Sequence, residues 1–559
     1  MSQYCKNLGL MGAVFRDIQS LNSVYGWDIA MDGMLKALLN HSSLAEVTFF
    51  HEPMAERELL QISELASVGK TKIKLFPEMD ILQRAMHSEV DLLHNTNSEF
   101  TSLVYYREHF CKNKMPITYT IHCASYDSFI QDMYLMMLLL PFRSYDSLIC
   151  TSRSVKSVVS NMLENVGENF NKEYNTNIEY KGRLDVIPLG VDIDHFKPMD
   201  KIEARRKNEI AEDAFVILWL GRFSSYDKAD ILPLLIVYKR LLKKNPDKKL
   251  LLVLAGHDRK NMPFMPAIEN YLAGLEIRDK VKIIENNDVT NRHILFASAD
   301  IFVSPIDNIQ ETFGITPIEA MACGIPQIVS DWDGYKDTVV DGVTGFLIPT
   351  YWANCDGDIG FSARYPTNPL YRIMLHHFLL SQSVVIDLEL YEKAVQSLID
   401  NPELRHTMAE NSVRIAKEKF SWQSVIKQYE NLWEELYQLQ KKSTEQLKKN
   451  MSFIQPIFCK AFSQYPSKFI DDSCIFVITS DGKSLFEGKL PNPGHYPYEN
   501  MLLDYQLRPT VLEKLYLADS NGISMAEVVN SLKIQYSQDV IRRCLMGLAK
   551  HGIAKILQD

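Results

Sequence analysis

The chain is poor in the features that mark several protein classes. Its nine cysteines are scattered from Cys5 to Cys544 without a single C-x-x-C pair. That spacing supports neither a disulfide framework nor a zinc site, and it implies a reducing, cytoplasmic compartment. Positive charge is not in excess. The formal net charge of -10 argues against nonspecific nucleic-acid binding, which depends on Lys and Arg neutralising phosphates. Long apolar runs are missing too. The most apolar stretch, 133–142, is far shorter than the ~20 residues that span a bilayer, so at most peripheral membrane contact is expected. The opening MSQYCKNLGLMGAVFRD lacks a basic region followed by an apolar core and a small-residue cleavage site. No solenoid-type repeat or low-complexity tract is evident.

What remains is an ordinary globular composition, 46% hydrophobic and 23% charged, in a chain of 559 residues. A single hydrophobic core stops growing at roughly 250–300 residues, so several domains are expected. From residue 1 to 197, short apolar runs (8–15, 47–51, 73–76, 90–94, 117–122, 148–151, 184–189) alternate with amphipathic stretches. Near-continuous apolar strands between helices indicate a parallel sheet covered on both faces. After a charged, proline-containing linker at 195–208 the pattern restarts and runs to 420, with strands expected at 215–220, 250–255, 281–284, 301–303, 327–329 and 346–348. Two doubly wound domains in succession form a cleft, and ligands bind beyond the carboxyl ends of such strands. Within the second domain, 351–388 reads as an irregular insertion. An amphipathic helix and linker are expected over 421–450. The remainder, 451–559, reads as an accessory α+β domain: a hairpin at 474–490 around an Asp-Gly turn, then three helices and a terminal strand.

The chemistry concentrates at Glu311–Thr–Phe–Gly–Ile–Thr–Pro–Ile–Glu319. This segment follows a strand and opens a helix, with Thr316 suited to the N-cap and Pro317 to the first helical position. The amides around 313–316 then lie at a helix N-terminus, which favours anions and hydroxyl-rich ligands. Both carboxylates can face one pocket and accept paired hydrogen bonds from a diol. By themselves they also fit a blander role, with Glu319 complementing the helix dipole and Glu311 solvated.

The segment resembles the signature of retaining glycosyltransferases of family 4, and three further stretches do so in the family's order. They are Ile187–Pro–Leu–Gly–Val–Asp192 with Phe196, Trp219–Leu–Gly–Arg222 with Lys228, and Gly342–Val–Thr–Gly–Phe–Leu–Ile–Pro349. The resemblance covers roughly residues 8–440. It implies an α/β GT-B fold of two facing Rossmann-like domains, with the acceptor against 1–197 and a nucleotide diphosphate sugar, the co-substrate, against 198–420. It also implies hexose transfer with retention and with no metal or other cofactor.

Residue by residue, the resemblance gives Glu319 the nucleotide ribose and Glu311 the donor sugar. The amides of Phe313, Gly314 and Ile315 would meet sugar hydroxyls and phosphate, and Arg222 and Lys228 the diphosphate. Taken alone, Arg222 and Lys228 read as surface residues and His122 as a backbone-bonded histidine. The resemblance sets His122 beside the donor sugar and Gly26 near the phosphates. The family's paired glycines are replaced here by Tyr25–Gly–Trp–Asp28, where Asp28 also suits a helix cap. After Asp331, the family's glycine-rich turn and Glu are replaced by Trp332–Asp–Gly–Tyr–Lys–Asp337. Asp356-Gly-Asp358 and His376-His377 lie in the insertion, without the context of a metal site.

The last three helices and strand resemble a winged-helix domain. Their near balance of charge favours docking of a protein or peptide partner over reading nucleic acid. The acceptor (polysaccharide, lipid, peptide or natural product) stays open. Two other functions fit the same fold: a sugar-nucleotide epimerase, and a catalytically silent scaffold that presents the C-terminal module.

Overall fold

The computed structural model describes residues 5–557 except 13–25, 52–55, 70, 79–80, 82–89, 97–100, 112–113, 127–131, 259–262, 286–290, 358, 360–368, 448–457, 493–502 and 519. Residues 1–450 and 451–559 form separate compact units.

The first unit holds two parallel sheets. In the first domain the strands are β1 (Asn7–Met11), β2 (Glu46–His51), β3 (Lys72–Pro77), β4 (Leu92–Asn95), β5 (Ile117–Ile121), β6 (Ser147–Cys150) and β7 (Arg183–Val186). They lie in the order β3-β2-β1-β4-β5-β6-β7. In the second domain they are β8 (Phe215–Leu220), β9 (Leu250–Gly256), β10 (Val281–Glu285), β11 (Ile301–Ser304), β12 (Gln327–Ser330) and β13 (Gly345–Ile348). Their order is β10-β9-β8-β11-β12-β13. Every residue of β5, β6, β11 and β12 is buried, as expected of strands covered on both faces. Each order reverses once, between β1 and β4 and between β8 and β11, and such switch points open ligand crevices.

Six helices matter for the site: α1 (Gly26–His41), α2 (Arg153–Tyr174), α3 (Arg292–Ser298), α4 (Ile315–Ala322), α5 (Pro369–Ser381) and α6 (Trp422–Lys442). Helix α6 follows the second domain in sequence yet completes the first domain's core. Val425, Ile426, Tyr429, Leu432, Trp433 and Leu436 pack there with Leu8, Leu35 and Phe49. Its polar edges are satisfied in the same place. The Trp433 indole donates to Thr118 Oγ1 at 3.1 Å, and the Tyr429 and Thr120 hydroxyls bond at 2.9 Å. A buried aromatic of this kind typically costs about 3–5 kcal/mol to truncate to alanine, so α6 ties the two domains together strongly. The two chain crossings run side by side, with Val191 N donating to Phe420 O at 2.7 Å.

The insertion is more regular than its composition predicts. β14 (Thr350–Trp352) and β15 (Val384–Ile386) pair antiparallel, with α5 between them. His377 and Ser381, on the inner side of α5, lie against main-chain carbonyls of Ser125 (3.3 Å) and Ser225 (3.4 Å). His377 is therefore engaged by the first domain, and burial, only partly offset by Ser125, lowers its pKa to about 4. Asp358 lies outside the described residues. Among the described residues no cluster of three or more His, Cys, Asp or Glu is poised around a metal position.

The second unit is a three-stranded antiparallel sheet, β17 (Ile523–Ser524), β16 (Ile475–Ile478) and β18 (Ala554–Leu557), in that spatial order. Helices α7 (Ser480–Phe486), α8 (Leu503–Leu517), α9 (Met525–Leu532) and α10 (Gln538–Lys550) cover it. The expected hairpin at 474–490 is thus a strand followed by a helix. Thr479 caps α7 by accepting from Gly482 N, which outweighs the turn tendency of Asp481-Gly482. The glycine serves close approach instead, since a Cβ there would come within 2.2 Å of Ile553 O. The later expectation of helices and a terminal strand matches α8–α10 and β18. On α10, Arg542 pairs with Asp472 and Asp539, so part of that helix's positive charge is already neutralised.

Candidate functional site

The strand ends of the two sheets deliver the site residues to one cleft. Arg222 and Lys228 follow β8, Glu311 follows β11, and His122 follows β5 of the opposite sheet. Helix α4 begins at Ile315, with Gly314 as N-cap at φ 93°. Thr316 and Pro317 therefore sit inside the first turn and not at the cap and first position expected for them. The left-handed Gly314 takes the cap because the chain must turn tightly past Tyr335. A Cβ at 314 would lie 2.2 Å from that ring. The first-turn amides of α4 have no partner within the helix and carry its positive dipole end. Phe313 sends its side chain into the core against Phe420, 6.1 Å between ring centroids, leaving only its backbone for a ligand.

The charged groups form a tight array. Lys228 Nζ lies 2.6 Å from Glu311 Oε2, the two side chains being 11% and 18% exposed, and 6.0 Å from the Tyr335 ring centroid. Burial works against the Lys228 ammonium, but Glu311 and Tyr335 outweigh it and hold its pKa above the ordinary lysine value. Burial likewise opposes the Glu311 carboxylate, yet Lys228 and Arg222 keep its pKa below the usual range. Arg222 donates through Nη2 to Asp227 O at 2.9 Å and to Gln310 Oε1 at 3.4 Å. The same Gln310 reaches Cys123 Sγ, next to His122, at 3.8 Å.

The other carboxylate, Glu319, is buried in α4 and accepts from Arg292 Nη2 of α3 at 2.6 Å. Burial raises its pKa to about 7, with Arg292 and Lys228 opposing. Asp333, beside Glu311, is pushed well above its ordinary value by burial and then by that neighbour's charge.

The first domain answers with uncharged groups. His122 is held neutral, its pKa lowered by burial to about 4 against an opposing bond with Thr96. Its Nε2 is buried with no hydrogen-bond partner. Its carbonyl accepts from Thr312 Oγ1 at 2.9 Å, and Ser152 Oγ donates to Thr312 O at 2.8 Å. Gly26 opens α1, and a Cβ there would sit 3.7 Å from Ile315 Cδ1. Asp28 lies in the first turn of α1, not at its cap. Asp337 bonds Arg153 at the start of α2 (2.6 Å), so it joins the two domains.

The structure thus joins Lys228 with Glu311, sets Gly26 near Ile315, and brings the His122 carbonyl to Thr312, beside Phe313 and Gly314. Arg292, Gln310, Thr312 and Tyr335 were not singled out. Nothing local marks them, because each becomes significant only through a partner distant in sequence or, for Thr312, through its contacts across the cleft.

Residues 200–356 match the family model described as glycosyl transferases group 1. The chain is similar to D-inositol 3-phosphate glycosyltransferase of Geodermatophilus obscurus, 34% identical over 166 residues, 29% of this chain and 36% of that protein. D-inositol 3-phosphate glycosyltransferase 2 of Catenulispora acidiphila is 32% identical over 170 residues, 30% of this chain and 39% of the relative. The chain thus spans well under half the length of the curated relatives it matches. Two solved structures extend the likeness. Alr3699/HepE of Anabaena, in complex with UDP, aligns over 76% of this chain and 98% of that one, at TM-score 0.50 and 16% identity. A glycosyltransferase of Rickettsia africae aligns over 78% of this chain and 100% of that one, at TM-score 0.50 and 15% identity. The fold is GT-B. The segment that matches the group 1 model, 200–356, holds Arg222, Lys228, Arg292, Glu311 and Glu319. The remaining part of the GT-B unit, with His122 and Gly26, is matched by fold alone.

Proposed function

We propose that the chain is a retaining glycosyltransferase that moves a hexose from a nucleoside diphosphate sugar to an acceptor hydroxyl without a metal ion. The observation that carries this reading is the Lys228–Glu311 pair beside Arg222 at the N-terminus of α4, with the neutral His122 across the cleft. In glycosyl transfer the bond between the anomeric carbon and the diphosphate oxygen breaks, and negative charge grows on the leaving group. Cations already in position stabilise that charge most in the transition state. Arg222, Lys228 and the first-turn amides of α4 would do this work in place of a divalent ion. Glu311 accepts hydroxyls of the donor sugar, and Glu319 the ribose diol. His122, with an unused ring nitrogen, exchanges a hydrogen bond with the sugar.

Retention follows from attack on the face the diphosphate leaves. The acceptor oxygen bonds the anomeric carbon while its proton passes to the departing phosphate oxygen. A nucleoside diphosphate donor agrees with the UDP held by the similarly folded HepE protein. Nine cysteines, none of them disulfide-bonded, fit a cytoplasmic setting. Among the described residues no helix is long and apolar enough to cross a membrane. In the 451–559 unit, β18 is the longer of the sheet's two edge strands, and such an edge can accept an added strand from a protein or peptide partner.

The test is a thermal-shift panel of UDP-, GDP- and ADP-hexoses in the presence of EDTA. One nucleotide class is expected to raise the melting temperature, since a ligand bound only by the folded state stabilises it. No shift with any donor would sink the reading. Positive donors are then assayed for transfer, with inositol 3-phosphate among the acceptors because the curated relatives carry that name.

A further inference from the structure

We infer that Arg292 is a positioning residue that orients Glu319 for the ribose diol and keeps it ionised, so that recognition of the nucleotide sugar depends on a pair of residues and not on one carboxylate. The inference rests on the reading of the cleft as a nucleotide-sugar site. It starts from geometry. Glu319 lies in the second turn of α4, its side chain 2% exposed, and Arg292, 11% exposed, approaches from the start of α3. Their contact, Nη2 to Oε2 at 2.6 Å, joins residues from two separate helices, and Arg292 Nε is buried with no hydrogen-bond partner. A guanidinium so placed is not a solvated surface group. It is held in the cleft for its charge and its planar fork.

Burying a carboxylate is unfavourable unless it is paired. Glu319 is close to losing its charge at neutral pH, with burial raising its pKa to about 7 even with Arg292 and Lys228 opposing. Lys228 is already committed to Glu311 at 2.6 Å, so the charge balance at Glu319 falls chiefly to Arg292. A protonated Glu319 would offer a diol one fewer acceptor site, while an ionised one accepts only and can take both hydroxyls. One guanidinium N–H on Oε2 also fixes the carboxylate plane, and acceptor capacity remains on both oxygens for the ribose.

The pair makes a prediction that separates it from simple phosphate or base binding by Arg292. Its effect passes through the ribose hydroxyls, so it must vanish when they are removed. Binding of UDP, GDP and ADP to the full-length protein is measured by calorimetry at pH 6, 7 and 8. The 2′,3′-dideoxy form of whichever nucleotide binds is then measured alongside it. In the wild type the preference for the ribose form is expected to be about tenfold or more at pH 8 and to shrink toward pH 6. In Arg292→Gln it is expected to fall to within about twofold at pH 7, with affinity for the dideoxy form nearly unchanged. Arg292→Lys, which keeps the charge but loses the fork, should lie between the two. It also serves as the readout should the Gln variant fail to fold.

Equal loss of both nucleotide forms in Arg292→Gln would overturn the inference and make Arg292 a direct ligand of phosphate or base. An unchanged ribose preference in either variant would overturn it as well. Failure of the wild type to bind any of the three diphosphates is a different result. It removes the nucleotide-site reading itself, and it is seen before any variant is made.

Discussion

The two lips of the cleft differ in kind. The second domain brings charged side chains, and they reach it largely paired among themselves: Lys228 with Glu311 and Arg292 with Glu319. The first domain brings groups without charge, namely a histidine held neutral, the carbonyl of that histidine and a glycine at a helix start. A site built to stabilise a growing diphosphate charge needs cations fixed before the reaction, because reorganising them in the transition state costs free energy. A site that must admit an acceptor hydroxyl gains little from fixed charge. On the proposed reading, the donor side is therefore built from paired charges, whereas the acceptor side offers uncharged groups.

The sharpest way to break that contrast is to remove a cation. Lys228→Ala is expected to lower kcat by about 10²–10³-fold, the range seen when one preorganised electrostatic group is lost from a transition state. Circular dichroism should stay near that of the wild type. The variant also leaves Glu311 buried without its partner, so Lys228→Arg serves as the control and should retain more activity. If both variants turn over at the wild-type rate, the charged lip is a folding device and the contrast fails.

A middle-sized effect concerns Glu319, the donor-side carboxylate whose charge is least secure. Its pKa is about 7 in the folded chain against an ordinary value of 4.5. Because the folded value is the higher, the protonated form favours folding. That contribution is fully present below about pH 4.5 and is lost as the pH rises through 7. The full shift corresponds to about 3 kcal/mol between the two limits, as an order of magnitude. Glu319→Gln mimics the protonated group and should remove this dependence. Without nucleotide, its melting temperature relative to the wild type should climb by several degrees from pH 5 to pH 8. A difference that stays constant with pH would mean that Glu319 is ionised throughout.

How legible each lip was from the sequence follows the same division. Glu311, Gly314 and Glu319 stand close together in one segment, and Arg222 and Lys228 in another, but spacing left both segments open to blander roles, and it was the resemblance of ordered motifs that singled these residues out. The alternation of apolar runs likewise foretold both parallel sheets. The misreadings arose where a distant neighbour decided the outcome. Thr316 looked like a cap until Tyr335 forced the turn onto Gly314. Asp481-Gly482 looked like a hairpin until Ile553 required a bare Cα beside it. The insertion looked irregular because its strands, 350–352 and 384–386, pair only across a helix. Arg292 carried no local mark at all, since its meaning lies wholly in a carboxylate 27 residues away. Helix α6 was recognisable as amphipathic, but its burial face gave no hint of which domain it completes.

The smallest expected effect lies where the two lips touch. Arg153, at the start of α2 in the first domain, pairs with Asp337 of the second, and Ser154 Oγ reaches Asp333 O at 2.8 Å. The arginine is 78% exposed, and a solvent-exposed ion pair contributes only about 0–1 kcal/mol. The contact nevertheless spans the cleft, so it acts on closure and not on the chemistry inside. Arg153→Ala should therefore raise the donor KM by no more than about fivefold, with kcat within about twofold of the wild type. The effect should fade as salt is raised, because exposed charges are screened. A fall in kcat of tenfold or more, insensitive to salt, would instead place Arg153 in the reacting machinery. The first domain would then contribute charge after all, and the contrast between the two lips would need to be redrawn.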